Sequence, residues 1–339
     1  MDVTIGIPTF KNDGRTILYT LQSLTKQTYA DFKVLIAYKP SENDRTLDVI
    51  EKFTKSLDLK IMFQREGYFD EALNMIYSTS KSDILISTDD DAVPSTNWVE
   101  SHIRAHENFY DAGVIGPFLG ISHRSSLIAR LYSNIFEDPL EEDMRLSNNY
   151  FAKTGILVRN NLFRNAGSKV RTFNPIGVNM SIKKEVYSDF KLPNMTLRGI
   201  NNELYLCLHA YEKGYPCTLV NEKIEVEHFD RDSMSRPKNL SGIIERFAEF
   251  SLSVYYLSKL GYDLDFKKLK LDIFLKSIPW KFKKDEKLKA QLVGIKKGID
   301  ISLEALKLKK DEKWIRQKLM EIRGEQQNSS NVLRDYQNV

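Results

Sequence analysis

Residues 84–94 read ILISTDDDAVP, a short apolar run that leads directly into three consecutive aspartates. Such a run is typical of a buried strand, so Asp89, Asp90 and Asp91 stand where that strand should end. Like charges this close repel one another unless a cation neutralises them, and Mg²⁺ and Mn²⁺ prefer carboxylate oxygens and share them with phosphates. The stretch therefore predicts a site for Mn²⁺ or Mg²⁺ together with a nucleotide. A solvated acidic turn is the alternative interpretation.

The sequence around this stretch alternates short apolar runs with helical periodicity from residue 3 to residue 116. The apolar runs occupy residues 3–7, 34–37, 61–63 and 84–86. Strands and helices in alternation predict an α/β fold, a mostly parallel sheet with helices on both faces. Ligands of such sheets bind outside the carboxyl ends of the strands, where Pro8, Thr9 and the turn after residue 37 would join the three aspartates.

The composition is that of a globular protein, with 42% hydrophobic and 28% charged residues in 339. The sequence contains neither a leader-like start nor the roughly 18 uncharged apolar residues of a membrane span, so we expect a cytoplasmic protein. The two cysteines, Cys207 and Cys217, suit buried thiols in a reducing compartment.

The C-terminal part of the chain differs from the rest in pattern and in charge. From about residue 240 the periodicity is helical and aromatic, with Phe274, Trp280 and Phe282 among lysines. Residues 261–339 hold 19 Lys and Arg against 12 Asp and Glu, although the whole chain is only +4. Packing onto the preceding domain explains such a face; peripheral binding to the inner face of a membrane is the alternative.

A second candidate site lies in residues 198–215, which read RGINNELYLCLHAYEKGY. A helix should begin near Asn201 or Asn202 and end at Gly214, which places Glu203 in its first turn. The free backbone N–H groups and the positive end of the helix dipole there favour an ionised carboxylate, which could accept the proton of a hydroxyl. A capping role for Glu203 is the alternative.

Six segments occur along the chain in a fixed order. They are VTIGIPTF (3–10), SENDRTLDVIEKF (41–53), DEALN (70–74), TDDDAVPSTNW (88–98), GVNMSIKKEV (177–186) and NELYLCLHAYEKGY (202–215). Together they resemble the family 2 glycosyltransferases, which have the GT-A fold. The resemblance covers about residues 1–230. It implies a GT-A catalytic domain over residues 1–235. The helical periodicity predicts an extension over 236–326, and the Asn, Gln and Ser after residue 326 predict a disordered tail over 327–339.

The resemblance also implies roles for individual residues. In family 2 the segment that matches 88–94 holds the metal and the nucleotide, which makes Asp89 and Asp91 candidate metal ligands and Asp89 and Asp90 candidate nucleotide ligands. Several GT-A enzymes place a late histidine on the metal or the diphosphate. His228 matches that histidine, although a lone histidine beside a strand is commonly a satisfied surface or core residue.

Glu203 matches the second member of an acidic pair in family 2, which is the catalytic base. Asn202 stands in place of the first member. Together with Gly177 and Asn179, Asn202 would contact the donor sugar or the acceptor.

Further nucleotide contacts fall on strand ends. The candidates are Pro8, Thr9, Phe10, Lys39 and Asp44. Lys39 stands where the family usually has an acidic motif that contacts the base, so the identity of the base stays open. Arg65, after the third apolar run, could meet a phosphate, and a solvent-facing salt bridge is the alternative.

The implied activity is inverting transfer of a hexose from a nucleotide-diphosphate sugar to a hydroxyl of a glycan or lipid-linked glycan, and no nucleic-acid partner is expected. A noncatalytic nucleotide- or glycan-binding module with the same fold is one alternative. A nucleotidyltransferase that makes sugar nucleotides is another. Enzymes of that class normally have a glycine-rich basic loop after the first strand, where this chain has PTFKNDG at 8–14.

Overall fold

The computed structural model describes residues 1–118, 127–160, 168–229, 237–282 and 285–328. Within these ranges the strands are β1 (Val3–Phe10), β2 (Phe32–Lys39), β3 (Asp58–Phe63), β4 (Ile84–Ser87), β5 (Ala92–Pro94), β6 (Val114–Pro117), β7 (Asn149–Phe151), β8 (Leu157–Arg159), β9 (Lys169–Arg171), β10 (Met180–Lys183), β11 (Cys217–Val220) and β12 (Val226–His228). The α-helices are α1 (Ile17–Leu24), α2 (Thr46–Glu51), α3 (Phe69–Thr79), α4 (Trp98–Asn108), α5 (Leu127–Phe136), α6 (Lys184–Tyr187), α7 (Asn202–Glu212), α8 (Leu240–Phe250), α9 (Ser253–Lys259), α10 (Phe266–Phe282), α11 (Glu286–Lys307) and α12 (Glu312–Asn328).

The central sheet has eight strands in the order β3-β2-β1-β4-β10-β6-β11-β9. The first four strands of this order run parallel to one another, whereas β10 runs antiparallel to β4 and β6, and β9 antiparallel to β11. Each of the four apolar runs seen in the sequence lies within one of the strands β1 to β4. The predicted α/β fold with a mostly parallel sheet is confirmed.

Helices cover both faces of the sheet, and each face has its own apolar core. In β2 the side chains of Val34 and Ile36 belong to the core beneath α1 and α4, whereas Leu35 and Ala37 belong to the core beneath α3 and α7. This alternation follows from the two-residue period of a strand. Because both faces of the sheet are covered at its centre, the middle of β2 and the whole of β4 are buried, whereas the edge strand β3 keeps exposed Asp58.

A second, two-stranded sheet begins directly after the acidic triplet. The strand β5 follows Asp91 directly and pairs antiparallel with β12. Its register sets Ala92 opposite His228, so a residue that is distant in the sequence lies beside the triplet.

The helices α8 to α12 form the C-terminal extension that the periodicity predicts. The helices α8 and α11 pack closely because Gly294 and Gly298 have no side chains; a methyl group at Gly298 would overlap the carbonyl oxygen of Ala248. The side chains of Trp280 and Phe282 and residues 329–339 lie outside the described residues, and the domain boundary near residue 235 stays a prediction. In the described parts of the chain, no helix combines the length and apolar character needed to cross a membrane.

Candidate active site

Asp89, Asp91 and His228 form a cluster at the carboxyl end of β4. One ligand atom from each of the three lies within 4.8 Å of the others. The Nε2 atom of His228 is 3.2 Å from Oδ1 of Asp91 and 3.7 Å from Oδ2 of Asp89. Asp91 is buried, whereas Asp89 and His228 are partly exposed, so the cluster opens to solvent on one side.

The two carboxylates of this cluster favour a bound cation. Hydrogen bonding to the carboxylates of Asp89 and Asp91 raises the pKa of His228 to about 10, so the imidazole is protonated at neutral pH when no metal is bound. Its Nδ1 lies 3.0 Å from the carbonyl oxygen of Phe229, which orients Nε2 toward the carboxylates. Two carboxylates and an imidazole are suitable ligands for Mn²⁺, and metal binding would replace the imidazolium proton. The residues therefore fit a divalent cation.

Asp90, between the two cluster carboxylates, has its side chain turned toward β1. Thr9 donates a hydrogen bond to Oδ2 of Asp90 over 2.5 Å, and the side-chain amide of Asn12 donates to the Asp90 carbonyl over 3.2 Å. Both Asp90 and Thr9 are buried, as is Pro8 in the same strand. These contacts fix the triplet on β1. The nucleotide contacts predicted for Pro8, Thr9 and Asp90 stay predictions.

A lysine between two aromatic rings lies at the ends of β1 and β2. Lys39 is opposite Phe10 in the parallel pairing, and its Nζ is 5.1 Å from the Phe10 ring centroid and 5.3 Å from that of Tyr68. The ammonium also donates to the carbonyl of Gly67 over 2.5 Å. These contacts hold the charge beside the half-exposed Phe10 ring.

Asp44 and Arg65 lie in the loops after β2 and β3. The Asp44 carboxylate accepts hydrogen bonds from the backbone N–H of Asp13 over 3.0 Å and from the Ser41 hydroxyl over 2.9 Å. Asp13, Ser41 and Asp44 line an open groove of about 370 Å³ together with Lys11. Arg65 is exposed just after β3 ends. Asp44 thus organises the loop beside the groove.

Glu203 lies in the first turn of α7, as the sequence predicted. The preceding Asn201 adopts the left-handed conformation, with φ of 74°, and α7 begins at the next residue. The Glu203 carboxyl packs against Gly177 so closely that a methyl group there would overlap Oε1. Burial raises the pKa of Glu203 to about 7, and the negative charge of Asp89 contributes to the rise. Glu203 therefore lies near the cluster and has the proton affinity of a base that works at neutral pH.

The other residues predicted to contact the sugar or the acceptor have internal hydrogen bonds. The Asn179 amide accepts from Trp98 over 2.8 Å and donates to the carbonyl of Ile224 over 2.9 Å. The Asn202 amide donates to the carbonyl of Gly199 over 2.7 Å. The Asn179 side chain thus links α4 to the segment before β12, and the Asn202 side chain holds the turn before α7; the sugar or acceptor contacts predicted for both stay predictions.

Glu249 of α8 is a part of the site that the sequence did not indicate. Its buried carboxylate accepts hydrogen bonds from the backbone N–H groups of Leu197, Arg198 and Ile200 over 2.9 to 3.4 Å. The C-terminal extension thereby fixes the loop that leads into α7 and Glu203. The only signal in the sequence is a pair of glutamates one turn apart, Glu245 and Glu249, on an otherwise apolar helix face.

Two solved structures share this fold at low sequence identity. One is the mannosyltransferase PcManGT from Pyrobaculum calidifontis in complex with GDP-Man and Mn²⁺; its TM-score is 0.51 at 13% identity, covering 89% of this chain and 86% of that one. The other is residues 1–349 of S. aureus TarS in complex with UDP-GlcNAc, with a TM-score of 0.50 at 13% identity, covering 91% of this chain and 93% of that one. These likenesses confirm the GT-A fold.

A longer TarS chain matches over less than half of its length, and a family model matches the N-terminal half of this sequence. The match covers 43% of that longer S. aureus TarS chain and 81% of this chain, at 15% identity and a TM-score of 0.47. Among curated proteins, none matches this sequence. The sequence model described as Glycosyl transferase family 2 matches residues 4–180, which include the acidic triplet and the segment around Gly177. Since that match spans more than half of the sequence, as the six segments suggested, the chain belongs to glycosyl transferase family 2.

Proposed function

We propose that this protein is an inverting glycosyltransferase that moves a hexose from a nucleotide-diphosphate sugar to a hydroxyl of a glycan or lipid-linked glycan. One observation carries the proposal. A carboxyl with a pKa of about 7, Glu203, lies near enough to Asp89 of the metal-ligand cluster for the Asp89 charge to raise that pKa. A base and a diphosphate-binding cluster on either side of one reaction centre are what a single displacement at an anomeric carbon requires.

In the proposed reaction Glu203 accepts the proton of the acceptor hydroxyl. The hydroxyl oxygen forms a bond to the anomeric carbon while the bond from that carbon to the diphosphate oxygen breaks, and the electron pair leaves with the diphosphate. One displacement from the opposite face inverts the anomeric centre. A carboxylate with a pKa of about 7 is a stronger base than an ordinary glutamate and is still substantially ionised at neutral pH.

Asp89, Asp91 and His228 would hold the divalent cation, Mn²⁺ or Mg²⁺. When bound, such an ion neutralises the charge that develops on a diphosphate leaving group. PcManGT, of the same fold, was solved with Mn²⁺ and GDP-Man, which supports Mn²⁺ as the first ion to test.

The remaining binding roles are assigned by position at the strand ends. Lys39, beside the exposed Phe10 ring, would meet the base, and Arg65 a phosphate. The other nucleotide contacts would come from Pro8, Thr9, Asp44 and Asp90, and the sugar or acceptor contacts from Gly177, Asn179 and Asn202. Residues 1–235 would form the catalytic domain, residues 236–326 its helical extension and residues 327–339 a tail.

We place the protein in the cytoplasm. Cys207 and Cys217 are both buried and free; burial raises the pKa of the Cys207 thiol, and the neighbouring Cys217 adds to the rise. Neighbouring thiols that remain reduced suit a reducing compartment.

Release of nucleoside diphosphate from a panel of UDP-, GDP-, CDP- and dTDP-sugars with Mn²⁺ tests the proposal. We expect release from one donor class, stimulation by an acceptor glycan, and loss of release on addition of a chelator. Pyrophosphate formation from a nucleoside triphosphate and a sugar phosphate would instead identify a nucleotidyltransferase. Tight binding of a nucleotide sugar without any release, across acceptors, would identify a noncatalytic binding module, which the departures at Lys39 and Asn202 would then explain.

A further inference from the structure

The helix α10 buries Leu269 against the core, yet its solvent-facing side is apolar and two polar residues lie on its buried side. Asp272 and Ser277 are buried, at 5% and 4% exposure. Four large apolar residues with 38 to 61% exposure recur at the i, i+3, i+4, i+7 spacing of one helix face: Leu271, Phe274, Leu275 and Ile278. Folding alone selects the opposite arrangement, so this face is built for contact with something outside the chain.

The helix α5 extends the same surface. Leu131 and Ile135, one turn apart, are 63% and 56% exposed, whereas Ser133 between them is buried. The two helices touch, because Nζ of Lys276 in α10 lies 5.3 Å from the ring centroid of Tyr132 in α5. We call Leu131, Ile135, Leu271, Phe274, Leu275 and Ile278 the α5/α10 apolar surface. It holds six of the seventeen exposed large hydrophobic residues found in the described part of the chain, so it is a cluster.

Positive charge borders this surface. Lys267 and Lys270 are exposed and precede Leu271 and Phe274 by four residues, which places them on the same face of α10. The helix has five lysines and a single acidic residue, the buried Asp272, which accepts from Lys276 over 2.9 Å. The border of the apolar surface is therefore cationic.

We propose that the α5/α10 apolar surface docks this protein onto a bilayer that contains anionic phospholipids. The convex helix face would enter the boundary between headgroups and acyl chains, and Lys267 and Lys270 would lie against the lipid phosphates. Apolar insertion and electrostatic attraction together give peripheral binding that neither gives alone. Contact between two copies fits less well, because a symmetric pairing would bring the lysine borders together with only Asp300, beside Lys270, as countercharge.

One of the two helices of this surface, α5, follows a strand that ends at the active-site edge of the sheet. The strands β4 and β6 both run antiparallel to β10, so their carboxyl ends lie at one edge, where Asp89 and Asp91 follow β4. The helix α5 is the next described element after β6.

Co-sedimentation of the full chain with vesicles tests the docking. We expect binding to phosphatidylcholine vesicles that contain phosphatidylglycerol, weakening as salt rises, and little binding to phosphatidylcholine alone. The double variant Lys267→Glu with Lys270→Glu should lose affinity by roughly 25-fold or more, since each lysine near an anionic surface contributes about fivefold. Phe274→Ser with Leu275→Ser should also lose binding, on the order of tenfold, through lost apolar insertion.

Matched controls separate docking from general effects. Lys26→Glu with Lys33→Glu reverses two exposed lysines elsewhere, and Tyr110→Ser removes an exposed aromatic residue elsewhere. Both should bind vesicles like the wild type. Equal recovery on neutral and anionic vesicles, or wild-type binding by the two α10 variants, would overturn the proposal. So would a wild-type dimer in light scattering that Phe274→Ser with Leu275→Ser dissociates while vesicles recover no protein; a second copy would then cover this surface.

Discussion

At the scale of single residues, Glu203 combines a position and an environment that an isolated carboxyl does not have. The first turn of α7 offers it free N–H groups that stabilise the ionised form, whereas burial and the charge of Asp89 oppose ionisation. The balance places its pKa at about 7. A carboxyl with a pKa near 7 can accept a proton from a hydroxyl at neutral pH and release it to solvent afterwards.

Replacing Glu203 with glutamine keeps the size of the side chain and removes the base. We expect Glu203→Gln to lower kcat by about 10² to 10⁴ with little change in donor affinity, because the acidic cluster binds the donor. The wild-type kcat should rise with pH up to about 7 and then level off, since the base must be deprotonated, and the variant should lack this rise. Glu185→Gln, an exposed first-turn glutamate in α6, is the control. Near wild-type turnover by Glu203→Gln would mean that another residue is the base.

Asp91 is the buried carboxylate of the metal-ligand cluster and should matter most for the ion. We expect Asp91→Asn to lose most of the Mn²⁺-dependent part of nucleotide affinity, a larger effect than the fall in the metal-free thermal midpoint that follows from loss of the Asp91–His228 ion pair. Calorimetric titration of nucleoside diphosphate with and without Mn²⁺ measures this. Asp111→Asn removes an exposed carboxylate that pairs with Lys169 and should leave both titrations unchanged. An Mn²⁺ effect of wild-type size in Asp91→Asn would remove this residue from the ligand set.

Sequence reasoning at this scale predicted which residues lie together but not every orientation. Three aspartates after an apolar run indicated a cation site, and the structure brings Asp89 and Asp91 together with His228. The inward orientation of Asp90 was not predictable, because Asp90 and Asp91 form a turn between β4 and β5 and the two-residue period of a strand does not apply there. The position of Lys39 between two rings was not predictable either, since Tyr68 comes from a different loop and no local pattern marks the pairing.

At the scale of elements, the helix α8 acts on the site without approaching the ligand. Glu249 accepts hydrogen bonds from three backbone N–H groups of the loop before α7, and the Asn201 side chain donates to the carbonyl of Phe250 over 2.8 Å. Arg198 in the same loop pairs with Glu245 over 3.0 Å, and Glu245 also pairs with Arg323 of α12. The loop is thus held by two helices of the C-terminal extension, and Glu249 is a positioning residue.

Loss of this anchor should affect Glu203 at a distance. Glutamine at position 249 keeps the volume but sets an N–H₂ group against backbone N–H donors, which costs about 1 to 3 kcal/mol of stability for an unsatisfied buried group. We expect Glu249→Gln to lower kcat more than it changes KM for the donor, and to speed amide hydrogen exchange at residues 197–200. Glu304→Gln, an exposed glutamate of α11, should do neither. Unchanged exchange together with normal turnover would show that the loop holds its shape without this carboxylate.

Periodicity predicted the elements that build the sheet and missed the contacts between distant ones. The runs in β1 to β4 are apolar because both faces of the sheet are covered, which is a local signal. The anchor from Glu249 to the loop at 197–200 joins residues about fifty positions apart, and although two glutamates on an apolar helix face mark Glu249 as unusual, one sequence does not show which segment it binds. The same holds for the outward apolar face of α10, since periodicity gives a stripe but not the side that faces solvent.

At the scale of the whole molecule, the GT-A scaffold places several titratable groups where water cannot reach them. Burial raises the pKa of Asp70 from 3.8 to about 7, although Thr196 donates to its carboxylate over 2.5 Å. Burial lowers the pKa of His102 and of His106 to about 3, and both rings lie 2.9 Å from the Ser181 hydroxyl between them. The fold therefore holds protonated acids and neutral histidines at pH values where an unfolded chain would not.

This difference between folded and unfolded chains predicts how stability depends on pH. The folded state keeps protons on Asp70 and Glu203 up to a pKa of about 7, whereas the unfolded state has lost them above 3.8 and 4.5, so both groups make the free energy of unfolding fall as pH rises toward 7. The buried histidines act in the opposite sense, but only below their unfolded pKa of 6.5. His228, with its pKa raised to about 10, stabilises the metal-free fold fully below 6.5 and loses that contribution as pH rises through 10.

Above pH 6.5 the opposing contribution of the two buried histidines fades as the unfolded chain loses their protons, and Asp70, Glu203 and His228 outweigh it, so the metal-free protein should lose stability as pH rises from 6.5 to about 8. Scanning calorimetry with a chelator present measures this as a falling thermal midpoint. Asp70→Asn removes one buried titration and should flatten the fall, whereas Asp58→Asn, at an exposed site of β3, should leave the slope unchanged. Excess Mn²⁺ should also flatten it, because metal binding to Asp89, Asp91 and His228 removes the imidazolium proton from the folded state. A midpoint that rises over this interval would mean that these carboxyls are already ionised in the folded protein, and Glu203 would then be an ordinary carboxylate with a weaker claim to be the base.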